Sequence, residues 1–364
     1  MITFGRLRKL LPSGFYFILY RHCLRHRIVK GTPEGIDFKT LSQLCIDHLG
    51  EPLRHVSHVH LSGWKTSGAF RLLLRTKRGR FWSLVYKNAI YTKDNIPAAT
   101  GLPVMPGPPE YLVYKHGQAK LTKYLPNVYL CLEIIPGLHY RYLLEDMRPE
   151  YRPICDSTDI LRAATELHAL HVAMSEWSLV AGQDRLLRFD REFSAGLLNY
   201  ARESLERYVQ ETADKSVSKV LELWARISKV HQRKEFHEFQ AIRPIHGDYN
   251  RSNIHLHTNK TDAIKIVDWE WAGMGIAHMD LVSVLLGSNP EIEQQALKRF
   301  WEQDNSLSFN EHKRLYQWCQ LERGLLNGAF LAKQQMESRS KIAWVPGEIK
   351  ASMQRVLYAY QELV

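Results

Sequence analysis

The apolar period of this chain changes once along its length, from two to about three and a half, and that change limits its fold more than any other feature. Between His55 and Ile90 the stretches HVSHVHL, AFRLLLRT and FWSLVYK alternate apolar or aromatic residues with polar ones, and KRGR separates the last two. This pattern predicts an antiparallel meander. After a proline-rich loop from Pro97 to Pro109, PPEYLVYKHG predicts a helix with prolines in its first positions and Gly117 at its end. NVYLCLEIIPG predicts a buried strand that runs into a connector at Pro136 and Gly137. Beyond it, DILRAATELHALHVAM, FSAGLLNYARESLERYVQE, VSKVLELWARISKVHQ, HKRLYQWCQLERGLLNGAFLAKQQ and EIKASMQRVLYAYQEL space apolar residues three and four apart, as helices do. An α+β chain is expected: a basic N-terminal extension over residues 1–50, a small sheet-rich lobe over 51–137 and a larger, mostly helical lobe over 138–364. At 364 residues there is enough chain for two core-bearing units.

The net charge of +11 is unevenly spread. Residues 1–32 hold seven Lys and Arg and residues 52–93 hold nine, with no acid in either stretch, so the rest of the chain sums to −5. Solvated basic strands account for the second stretch. No RNA- or DNA-binding signature accompanies the charge, so nucleic acid is not an expected partner. Flanking an aromatic and aliphatic run, the cations of residues 1–32 suit either a helix packed on the small lobe or weak contact with an anionic membrane. The apolar run Gly14 to Tyr20 is too short to cross a bilayer, and no signal peptide is expected. Five scattered cysteines with no Cys-x-x-Cys pair argue against a zinc ribbon or a disulfide framework and suit a cytoplasmic protein, with peripheral membrane contact through the arm as the variant.

One segment interrupts the helical half: IRPIHGDYNRSNIHLHTNKTDAIKIVDWEWAG. It sets His246-Gly247-Asp248 in a loop, Asn253 five residues after the aspartate, a hairpin around Asn259 to Asp262, and Asp268 at the end of the second strand. Phosphoryl transfer from ATP needs a carboxylate near the acceptor hydroxyl and oxygen ligands for Mg²⁺ on the phosphates. The hairpin would bring Asn253 and Asp268 to one metal while Asp248 stays a loop away for the acceptor.

HGDYNRSN followed by IVDWE resembles the aminoglycoside phosphotransferase and choline kinase family, whose pattern is His-Gly-Asp, four residues, Asn, then Ile-Asp-aromatic-acid. The resemblance implies a bilobal protein-kinase-like fold with ATP and Mg²⁺ as cofactors, Asp248 as catalytic base, and Asn253 and Asp268 as metal ligands. It also implies that Gly63 and Gly68 in LSGWKTSGAF cover the phosphates, that Lys87 in SLVYKN binds them with Glu110 as its ion-pair partner, and that the backbone from Glu133 to Ile135 meets adenine. TELHALH resembles the family's L-x-x-L-H helix, with His168 in a packing role; His246 is expected to order the loop, and Asp280 in HMDLVSVL to cap a helix and support the loop. Protein kinases differ: they carry His-Arg-Asp with a lysine two residues on, where this chain has Gly247 and Asn250, and Asp-Phe-Gly where it has Asp-Trp-Glu. The implied activity is transfer of the ATP γ-phosphate to a hydroxyl of a small molecule such as a sugar, an amino alcohol or an aminoglycoside-like compound. A protein kinase and a nucleotide-binding pseudokinase scaffold are the alternatives. After residue 93 the chain has 32 Lys and Arg against 34 Asp and Glu, which leaves the acceptor open.

Overall fold

The computed structural model of the chain describes residues 28–61, 67–92, 97–105, 107–181, 186–236, 242–338 and 342–364. The chain divides into two compact units: residues 1–89, 128–134 and 139–146 in the first, and 90–127, 135–138 and 147–364 in the second. The basic arm falls almost wholly before residue 28 and so lies outside the described residues, as does Gly63.

The first unit is built on a six-stranded sheet in the order β1-β2-β3-β4-β6-β5. The expected meander is β2 (Leu53–His60), β3 (Ser67–Thr76) and β4 (Phe81–Ile90), paired antiparallel with Val56 opposite Leu74 and Leu72 opposite Leu84. Leu72, Leu74, Leu84 and Tyr86 face one side, as the period-two pattern requires, and form the core with Ile36, Leu41, Cys45 and Leu143. Residues 28–49, read from the sequence as part of an extension, instead form β1 (Ile28–Lys30) and α1 (Phe38–Leu49) within this unit. The helix is recruited because Leu41 and Cys45 complete the sheet's apolar face. Asp37 caps its first turn and Gly50, at φ 70°, its last.

Two further differences concern the chain after Asn127. β5 (Val128–Ile135) is an edge strand with exposed distal residues rather than a buried one, because β6 (His139–Glu145) is its sole neighbour in the sheet. β6 itself belongs to the first unit and not to the helical part: Gly137, at φ 74°, turns the chain back, and Tyr140, Tyr142, Leu143 and Leu144 are buried.

The second unit is mostly helical. Its helices are α2 (Pro108–His116), α3 (Ser157–Ala181), α4 (Arg191–Thr212), α5 (Lys215–Glu222), α6 (Trp224–His231), α7 (His278–Leu285), α8 (Pro290–Gln303), α9 (Phe309–Glu337) and α10 (Val345–Leu363). Two three-stranded sheets hold the interrupting segment. β10 (Ile254–His257) pairs with β11 (Ile264–Ile266) and with β7 (Tyr151–Pro153), and β12 (Gly273–Ile276) lies between β8 (Leu187–Arg188) and β9 (Ile242–Ile245). α9 and α10 approach closely at Gly324 and Gly328, one turn apart: a Cβ on Gly324 would stand 2.7 Å from Val356 Cγ2 and 3.0 Å from the Ser352 carbonyl oxygen. A Cβ on Gly328 would collide with the Met353 methyl.

Among the described residues, no helix is long and apolar enough to cross a membrane. An antiparallel sheet first and a larger helical part after it is the class read from the sequence.

Candidate active site

Strand β9 ends at Ile245 and delivers the chain into His246-Gly247-Asp248, while β12, paired to it with Gly273 opposite Ile245, carries away the turn that contains Asp268. One antiparallel pair thus pins the entry of one loop beside the exit of the other. Gly247 has φ 78°, and a Cβ there would collide with the Trp271 carbonyl oxygen. The loop therefore requires glycine where protein kinases carry arginine.

Asp280, on the first turn of α7, holds this loop from beneath. Its Oδ2 accepts from the His246 backbone N–H at 2.8 Å and from His171 Nε2 at 3.0 Å, and its Oδ1 accepts from the Gly247 N–H at 2.8 Å. The carboxylate is fully buried. Burial by itself would raise its pKa, but the His171 bond and charge, with His246 and its N–H, hold it below the ordinary carboxylate value. His246 is buried as well: its Nδ1 accepts from the Asp248 N–H at 3.2 Å, so its Nε2 carries the proton and donates to the Val267 carbonyl at 3.2 Å. Desolvation lowers its pKa against the pull of Asp280, Asp248 and Asp268. A neutral imidazole bridging both loops suits the ordering role read from the sequence.

Asp248 is oriented by amides. Asn250 Nδ2 donates to its Oδ2 at 2.9 Å, and Asn253 Nδ2 donates to the same oxygen and to the Asp248 carbonyl, both at 3.0 Å. Asn250 Oδ1 in turn accepts from the Ser252 and Asn253 N–H groups, closing a compact turn. Arg323 Nη2, on α9, stands 3.4 Å from Asp248 Oδ1. Packing around Asp248 raises its pKa by desolvation, partly offset by Arg323 and His246 and reinforced by Asp268. Its side chain still keeps 32% of its surface accessible, which leaves room for a partner.

The hairpin of β10 and β11 joins Asn253 to Asp268. Ile254 pairs with Ile266, and the Val267 N–H donates to the Asn253 carbonyl at 3.0 Å. Asn253 spends its Nδ2 on Asp248, which turns its Oδ1 away as an acceptor. Asp268 adopts a left-handed backbone, φ 66° and ψ 59°, uncommon for a non-glycine residue, at the head of a short turn anchored by buried Trp269. The Trp269 ring lies tilted against that of His246, centroids 4.5 Å apart, and its Nε1 donates to the Ile266 carbonyl. Two hard oxygen donors, one amide and one carboxylate, suit Mg²⁺, which takes few protein ligands and fills the rest of its shell with phosphate and water.

The other sequence-derived residues divide between the units. Gly68 and Lys87 lie on neighbouring strands of the first, where Gly68 pairs with Asn88 and Ala69 with Lys87; Glu133 lies on the exposed end of β5, and Ile135, which ends that strand, falls in the second unit. Glu110 is also in the second unit, fully buried on α2, and accepts from the Tyr91 hydroxyl at 2.9 Å. α2 begins against the Asp268 turn, because the Gly107 N–H donates to the Glu270 carbonyl at 2.8 Å.

Sequence reasoning missed three contributors. His171, not His168, is the histidine of LHALH that reaches Asp280. Arg323 and Ser283 approach from α9 and α7, at separations of 75 and 35 residues from Asp248, with no local motif to announce them.

Residues 121–319, more than half of the chain, match the phosphotransferase enzyme family. The chain belongs to this family. A search of curated protein sequences finds no match for this phosphotransferase. Among solved structures it is similar to a spectinomycin phosphotransferase in complex with ADP and spectinomycin (14% identity, TM-score 0.55, covering 91% of this chain and 100% of that one). It is also similar to an ethanolamine kinase of Plasmodium vivax (13% identity, TM-score 0.52, 85% and 84% covered) and to the choline kinase LicA of Streptococcus pneumoniae (12% identity, TM-score 0.53, 88% and 98% covered). The phosphotransferase thus shares the fold of small-molecule kinases along nearly its whole length, as the HGDYNRSN and IVDWE motifs imply.

Proposed function

We propose that this phosphotransferase transfers the γ-phosphate of ATP, as its magnesium complex, to a hydroxyl of a small molecule held against Asp248. The observation that carries the reading is the state of that carboxylate. It is fixed by Asn250 and Asn253, its loop is tied down by Asp280, and among the described residues no amide donates to its Oδ1, so one oxygen is left to accept a hydroxyl proton. Asn253 Oδ1 and the Asp268 carboxylate would hold the metal, which when bound supplies positive charge to the transferring phosphates. Lys87 would orient the same phosphates, as the family resemblance implies; Gly68, with Gly63 beyond the described residues, would let the backbone approach them. The β5 backbone from Glu133 to Ile135 would meet the base.

In the transfer Asp248 accepts the hydroxyl proton as the acceptor oxygen bonds to phosphorus and the bridging oxygen leaves with ADP. The test is a pair of variants measured on the same preparations. Asp248→Asn keeps the shape, so Mg-ATP affinity by calorimetry should stay near that of the parent while turnover falls on the order of 10² to 10⁴-fold. Asp268→Ala should lose the magnesium-dependent part of nucleotide affinity, and chelation with EDTA should bring the parent to the same level. An Asp248→Asn protein that turns over at the parent rate would sink the mechanism.

A further inference from the structure

Arg323 is anchored in a way that leaves part of it unused. Its Nε and Nη2 both donate to one neutral oxygen, Ser283 Oγ, at 3.0 and 2.8 Å. Its approach to Asp248, 3.4 Å, is longer than the roughly 2.7 to 2.9 Å of a charge-assisted bond. Nη1 donates to none of the described residues, yet only 13% of the side chain is accessible. A guanidinium that gives its short bonds to a hydroxyl and stops short of the nearest carboxylate is held in place rather than neutralised.

Its position matters because of which oxygen it flanks. Oδ2 of Asp248 is occupied by Asn250 and Asn253, so a hydroxyl docks at Oδ1, the oxygen beside Arg323. A hydroxyl within hydrogen-bond reach of Oδ1, about 3 Å, lies within about 6.5 Å of Nη2. Substituents one or two carbons from that hydroxyl therefore meet a permanent cation with a planar fork of donors, which fits carboxylate and phosphate oxygens and repels an ammonium.

We infer that the acceptor of this phosphotransferase carries an anionic group, carboxylate or phosphate, close to the hydroxyl it presents to Asp248, and that Arg323 binds that group. Spectinomycin, ethanolamine and choline, the compounds named for the similar structures, are all cations at neutral pH; Arg323 sets this chain against that charge. The inference rests on the placement of the acceptor at Asp248.

Matched acceptors test it with the full chain and Mg-ATP: D-glycerate, glycerol and serinol on a three-carbon skeleton, D-gluconate, sorbitol and glucamine on a six-carbon one, and glycerol 3-phosphate to separate phosphate from carboxylate. At least one anionic member should exceed its neutral and cationic counterparts in kcat/KM. Arg323→Met should raise the KM for the anionic acceptor relative to that for the neutral one on the order of 10- to 100-fold, the size of a lost charged hydrogen bond. Arg323→Lys should recover part of the loss. Ser283→Ala, which removes the anchor and keeps the guanidinium, should shift KM in the same direction by less and serves if the methionine variant does not fold. The anionic acceptors are also titrated by calorimetry with a non-hydrolysable ATP analogue. A neutral or cationic preference on both skeletons, an anion preference untouched by the Arg323 variants, or no binding of any anionic probe overturns the inference. Failure of the parent to bind Mg-ATP would instead overturn the reading of the site.

Discussion

Replacing Asp280 with alanine should unfasten the His246–Asp248 loop without touching the proposed base itself. The carboxylate satisfies three buried donors, the His246 and Gly247 N–H groups and His171 Nε2. Each donor left unsatisfied in the interior costs about 1 to 3 kcal/mol. Partial rearrangement and non-additivity bring the expected loss to about 3 to 5 kcal/mol, the range for removing one partner of a buried polar pair. With a slope of about 2 kcal/mol per molar urea, the unfolding midpoint should fall by more than 1 M. Turnover should fall further than nucleotide affinity, because the loop sets the base and not the fold of the sheet. Asp280→Asn should be intermediate, since its Oδ1 can still serve Gly247 while its amide faces the His246 N–H. The pH dependence has a definite sign. The pKa of Asp280 is lower in the folded protein than in the unfolded chain, so its contribution is complete above the ordinary carboxylate value near 3.9 and is lost as pH falls through the depressed folded value. The gap between parent and Asp280→Ala should be full at pH 7 and narrow below about pH 4. A midpoint shift under 0.3 M urea (roughly a tenth of a typical two-state range) at pH 7, with turnover intact, would refute the tether.

Gly247→Ala should reduce turnover sharply and lower the thermal midpoint, because it combines a left-handed backbone, worth about 1 to 2 kcal/mol, with a collision against the Trp271 carbonyl; a variant as active and as stable as the parent would contradict the loop geometry. Lys87→Met should weaken productive nucleotide binding, read by calorimetry with Mg-ATP. Full activity in that variant would remove Lys87 from the phosphate site.

What was legible in the sequence was what local spacing encodes. Asp248, Asn253 and Asp268 lie within one 21-residue stretch of the chain, and a hairpin joins the last two. The meander was legible for the same reason, since alternation in β2 to β4 is a property of each strand alone. Edge position was not: β5 reads as apolar as an interior strand, and its exposure follows from having a single neighbour. Nor was the use of residues 28–49, where the charge of the preceding arm masked the apolar face of α1. Asp280 was recognised at its helix start, but its bonds span 33 and 34 residues to the loop and 109 to His171. Arg323 lies 75 residues from Asp248 and beyond the span of the family match. Such contacts are chosen by how helices pack, and no run of neighbouring residues records them.

The two glycine notches on α9 acquire a further meaning from where Arg323 sits. It directly precedes Gly324, so the depth to which Ser352 and Val356 of α10 nest in that notch sets the height of the guanidinium above Asp248. Helix α10 therefore acts as the shim for a charge it does not carry. Exchanging Val356 or Met353 for a larger or smaller side chain would slide or tilt α9 and retune which acceptors are taken, with every residue of the loop left as it was.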